Sequence, residues 1–158
     1  MPSRHVARLR VPANPYARVE RLLGPRSLHI GNPIELHERI AKGFPRWTMV
    51  HLVENLTILT LAESFKALNV SQRTWHRIKA QKHQSAPLDT DQSARVWNLA
   101  EVLSRAQEVL GGREDAEQWM ATPAIGLNAR RPIDLLATPQ GAEMVKTLLD
   151  QMAHGVYA

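Results

Sequence analysis

The chain contains no cysteine, which excludes disulfides, zinc–thiolate and iron–sulfur centres and a thiol nucleophile. No apolar run approaches the ~20 residues that cross a bilayer, and the basic N-terminus lacks the apolar core of a secretory signal. These absences predict a soluble, cytoplasmic protein with no membrane partner. No strand-length segment alternates polar and apolar residues, and no internal repeat occurs, so the fold class reads as all-α. Catalytic signatures are missing too: there is no His-Glu-x-x-His motif, no glycine-rich phosphate loop and no nucleophile elbow. The seven histidines (His5, His29, His37, His51, His76, His83 and His154) are scattered through the chain. His51 and Glu54 lie three apart on one helix, but a bundle metal site needs a second such pair. No enzyme, no metal and no cofactor is expected.

What the chain does hold is enough apolar material to fold. Hydrophobic residues make up 44 %, charged residues 22 % and aromatics 5 % of the 158 residues, unlike a disordered or low-complexity sequence. That length makes one domain or two small ones, and such a domain buries roughly 70 % of its unfolded surface. The net charge of +5 is unevenly spread: +6 over residues 1–50, +2 over 51–90 and −3 over 91–158. A basic front half joined to an acidic back half fits either a polyanion partner at the front or simply a solvated basic arm.

The first 31 residues interleave Pro2, Pro12, Pro15 and Pro25 with Arg4, Arg8, Arg10, Arg18, Arg21 and Arg26. Prolines at that density break helices, so residues 1–31 are expected to form a mobile basic arm. From Asn32 the punctuation turns helical. Asn32-Pro33 is a cap followed by a first-turn proline, and Gly43 can end that helix. Pro45 starts another, which fades near Asn55. Thr60 and Glu63 form a capping box opening a helix expected to bury Leu61, Ala62, Phe65 and Leu68. Ser71 caps a helix to about Gln81, and 81–87 reads as a linker. Asp89 and Gln92 open the clearest helix, about 90–110, with a polar stripe Asp91, Arg95, Asn98, Glu101, Arg105, Glu108 opposite Val96, Leu99, Leu103, Ala106 and Leu110. Short helices follow near 113–121 and 132–136, and Thr138-Pro139 opens a last one that Gly155 ends. The expected domains are 32–86 and 87–158.

The pair of short helices between Leu61 and Ala80, separated by about three residues, has the dimensions of a helix-turn-helix. On the second helix Trp75 and Ile78 share one face, and Gln72, Arg73, His76 and Arg77 share the other. Gln and Arg can read adenine and guanine in the major groove, while Lys79 can reach a phosphate. An ordinary helix pair with a solvated polar face would carry a similar pattern.

The segment from Glu63 through Asn69-Val70-Ser71 to Trp75 resembles the helix-turn-helix of Xre-type regulators. Further on come Leu88-Asp89, Val109-Leu110-Gly111, Ala116-Glu117-Gln118-Trp119-Met120, Thr122-Pro123, Pro132-Ile133-Asp134-Leu135-Leu136, Gly141-Ala142 and His154-Gly155-Val156-Tyr157-Ala158. In that order they resemble the Xre/MbcA/ParS antitoxin family across roughly residues 35–158. The resemblance implies an antitoxin of a two-gene module that acts as a homodimer. Its implied partners are a cognate RES-domain toxin, which consumes NAD or uses it to ADP-ribosylate a protein, and operator DNA. It further implies toxin contact through Leu127, Asn128, Arg130, Arg131, Asp134, His154 and Tyr157, and DNA contact through the helix-turn-helix. On this reading, residues 88–158 alone neutralise the toxin. Two positions depart from the family pattern: Asn128-Ala129-Arg130 replaces a common Gly-Gly-Arg turn, and Asn69 replaces the usual glycine. Asparagine tolerates positive φ, whereas alanine does so poorly. A free-standing helix-turn-helix regulator whose acidic half dimerises or senses a ligand is the alternative.

Overall fold

A computed structural model describes residues 14–155, which form nine α-helices and one short 3-10 turn with no strand among them. The helices are α1 (Pro15–Leu23), α2 (Pro33–Lys42), α3 (Arg46–Glu54), α4 (Leu61–Leu68), α5 (Gln72–Ala80), α6 (Thr90–Leu110), α7 (Arg113–Met120), α8 (Pro132–Leu135) and α9 (Pro139–Ala153). Local chemistry sets most of the boundaries. The Asn32 side chain accepts the Glu35 amide at 2.9 Å. Thr60 and Glu63 exchange both bonds of the capping box, as do Asp89 and Gln92. Thr138 caps α9 by accepting from the Gly141 amide at 3.0 Å. Gly141 also lies so close to the Leu135 carbonyl that any Cβ would force α8 and α9 apart.

The central element is α6. Ser93, Val96, Trp97, Leu99, Ala100, Val102, Leu103, Ser104 and Ala106 are all buried, so little of the helix is left to solvent beyond the predicted polar stripe. Helices α1 to α4 cover one part of it, and α7 and α9 cover another. The two halves of the chain therefore share one helix and one continuous core.

Three expectations change here. Residues 14–31 are no loose arm: Val19, Leu23, Leu28 and Ile30 are buried, and α1 lies along α6. Asn14 caps α1 and Pro15 occupies its first turn, so the proline density marks a helix start rather than disorder. The buried Glu20 carboxylate then folds the chain back by accepting the Leu28 and Ile30 amides at 3.0 and 2.8 Å. Residues 1–13 lie outside the described residues. Next, the inward face of α4 is Ser64, Ala67 and Leu68, with Leu61 and Ala62 outward. Finally, 81–87 is no free linker. Ala86 and Gln84 carbonyls accept the Arg46 and Trp47 amides, and Leu88 donates to the Phe44 carbonyl.

Candidate functional site

On α5, Gln72, Arg73, His76, Arg77 and Lys79 are all exposed, while Trp75 and Ile78 face the core. Trp75 rests against Phe65 of α4 with ring centroids 5.6 Å apart, which makes it a packing contact between the two helices rather than a surface residue. In the turn, Asn69 takes the left-handed conformation at φ 51, Val70 is buried, and the Ser71 hydroxyl accepts the Thr74 amide at 3.0 Å. This turn presents the polar face of α5 outward. Lys79 lies 2.9 Å from the Glu54 carboxylate of α3, so it is already paired. Gln72, Arg73, His76 and Arg77 have no side-chain partner among the described residues.

The second surface is the turn between α7 and α8. Ala124 donates to the Arg130 carbonyl at 3.0 Å and accepts from both Leu127 and Ala129 at 3.0 Å. Asn128 and Ala129 both sit in the left-handed region, at φ 52 and 58. Leu127 is buried beneath the turn. Its side chain anchors the loop to the core and leaves little surface for the toxin contact expected of it.

Arg131 and Asp134 are largely occupied with each other. Arg131 grips Asp134 through two bonds of 2.9 and 3.0 Å and reaches Glu63 of α4 at 2.6 Å. Lys66 adds a longer contact to Asp134, 3.7 Å. The Thr60 amide, followed by Arg131, holds the Glu63 carboxyl below its usual range. The Arg131 hydrogen bonds likewise depress Asp134, and the two carboxylates raise Arg131 in return. The strut ties the first helix of the helix-turn-helix to the loop. Asn128, Arg130 and His154 remain exposed, with His154 Nδ1 2.6 Å from the Asp150 carbonyl at the end of α9. Tyr157 lies outside the described residues.

Two residues escaped the reading of the sequence. Glu117 on α7 is wholly buried, and its carboxylate accepts the amides of Thr57, Ile58 and Leu59 at 3.0, 2.6 and 3.1 Å. It binds the α3–α4 loop as an anion binds a backbone nest. Its signal was a carboxylate beside Ala116 and one turn before Met120, on the inward stripe of α7. Ile125 is 96 % exposed, and nothing in its local sequence marks it. Among the described residues no cluster of three or more potential metal ligands forms, and no helix is long and apolar enough to cross a membrane.

The geometry defines a class: an all-α protein that carries a helix-turn-helix with an open polar face, fused through one helix to a C-terminal helical unit. Comparison with known proteins narrows the class. Residues 35–101 match the family described as the antitoxin Xre-like helix-turn-helix domain. Residues 105–155 match the antitoxin Xre/MbcA/ParS C-terminal toxin-binding domain. The Antitoxin Xre of Pseudomonas putida is 30 % identical over 139 residues, covering 88 % of this chain and 82 % of the relative. The Antitoxin Xre of Yersinia enterocolitica is 32 % identical over 98 residues, or 61 % and 64 % of the two chains. A Sphingobium protein named Prs ADP-ribosylating antitoxin is 28 % identical over 142 residues, or 84 % and 87 %. The chain belongs to the Xre antitoxin family and is the antitoxin of a toxin–antitoxin system.

Proposed function

We propose that this antitoxin neutralises a cognate RES-domain toxin by covering its active site, and that as a homodimer it represses its own operon through α5. The toxin half of the reading is carried by the exposed Asn128, Arg130 and His154, which lie in the segment matching a toxin-binding domain. Arg130 is suited to planar pairing with a carboxylate or phosphate. The Sphingobium relative's name, Prs ADP-ribosylating antitoxin, supports a partner connected with ADP-ribosylation. Arg131 and Asp134 enter as supports that set the loop, and Tyr157 as part of the C-terminal segment that enters the toxin's pocket. Co-expression with a cognate RES-domain toxin should restore the growth that the toxin alone arrests, and ending the chain at Met152 should abolish rescue. Full neutralisation by that shortened chain would remove the C-terminal segment from the mechanism.

The operator half is supported by four polar side chains on the exposed face of α5 that have no side-chain partner among the described residues. Replacing Gln72 and Arg73 should relax sequence preference in a mobility-shift assay. Losing Lys79 should weaken binding evenly across sequences, and by less than a free lysine would, because Glu54 already holds it. Absence of any shift on the chain's own promoter, with or without toxin, would discard repression.

A further inference from the structure

We propose that Ile125 is the apolar anchor of the toxin interface, seated in a hydrophobic socket of the partner with a carboxylate placed to meet Arg130. The proposal rests on the reading above that the α7–α8 loop faces the toxin, and it adds which side chain supplies the binding energy. Among the described residues of the toxin-binding segment only two large apolar side chains are exposed, Ile125 at 96 % and Met144 at 49 %. A single exposed aliphatic is ordinary on a protein surface. The frame around this one is not. Ile125 opens the 3-10 turn Ile125–Leu127, whose carbonyls and amides are closed at 3.0 to 3.1 Å by Leu127 onto Ala124 and by Asn128 onto Ile125. Leu127 is buried below it. Gly126 lies flat against α9, where a Cβ would come within 2.8 Å of Leu148 Cδ1. Met144 stands one helical turn before Leu148 on the same helix. The fold thus holds an aliphatic side chain out into solvent on a turn fixed from both sides, so that little order remains to be lost on binding.

Charge selects the partner's chemistry. Of the two loop arginines, Arg131 is neutralised by Asp134 and Glu63, whereas Arg130 is exposed and unpaired among the described residues. An apolar centre bordered by one free guanidinium has the layout of a binding hot spot with a polar rim. The complementary surface is an apolar socket with an acidic edge.

The test is calorimetric titration of the full chain with a purified RES-domain toxin of the same module. Ile125→Asp should weaken binding about 100-fold and Ile125→Leu by less than about threefold. Ile34→Asp, at a similarly exposed position on α2 (68 %), should leave affinity within about twofold. All three should keep the thermal midpoint of the unchanged chain. Wild-type affinity in a folded Ile125→Asp variant would overturn the proposal. So would loss of self-association in that variant with toxin affinity intact, because the patch would then face a second copy. Failure of the unchanged chain to bind the RES-domain protein would instead overturn the partner assignment itself.

Discussion

Glu117 shows how much one buried carboxylate can organise. Its oxygens take up three successive loop amides, and Arg113 approaches from outside at 3.6 Å. Glu117→Ala leaves those donors without partners inside the protein, where each unsatisfied group costs roughly 1–3 kcal/mol. A loss of about 3 kcal/mol in chemical denaturation is expected, with Glu117→Gln losing less because one acceptor oxygen survives. Ala129 is the opposite case, a residue held where its own backbone resists. Its φ of 58 places a Cβ in the left-handed region, at a cost of about 1–2 kcal/mol. Ala129→Gly should raise stability by about 0.5–1 kcal/mol once the extra freedom of glycine in the unfolded chain is subtracted. An unchanged or lowered denaturation midpoint would show that the turn carries no such strain.

At the scale of elements, the contact that matters most is between α4 and α8, where Arg131 bridges Glu63 and Asp134. Both carboxyls titrate lower in the folded chain than in the unfolded one. The unfolded chain therefore takes up protons first as the pH falls. The stability they contribute is complete above the ordinary carboxylate range near 4 and drains away as pH drops through the depressed values. Arg131→Gln should flatten that acid limb in urea titrations repeated from pH 6 to pH 3. A curve as steep as that of the unchanged chain would mean other groups set the acid limit. The helix-turn-helix was legible in the sequence because caps and a one-sided apolar stripe are local properties: Thr60, Glu63, Ser71, Trp75 and Ile78 are enough to draw it. The sequence pattern places Leu61 and Ala62 inward because a short amphipathic helix allows more than one apolar face, and only its neighbours choose between them.

For the whole molecule, the shared helix α6 changes what can be separated. Reading the sequence as two halves predicted that residues 88–158 would neutralise the toxin alone. Cutting there strips α1 to α4 from α6 and leaves Glu117 without its three amides. The fragment should lose cooperative unfolding in a thermal melt and protect toxin-challenged cells less than the full chain. A sharp melt with full protection would restore the two-part view. The uneven charge was visible from the order of residues along the chain, and so was the all-α class, because helix caps and periodicity act over a few residues. Burial of residues 14–31 was not, since prolines that open a helix and prolines that prevent one look alike until α1 meets α6. Nor could spacing alone tell that Arg131 is spent on Glu63, 68 positions away, while Arg130 beside it is exposed and unpaired among the described residues. Neighbours in sequence part company there because ion pairing and burial depend on distance in space, and only the folded chain sets that distance.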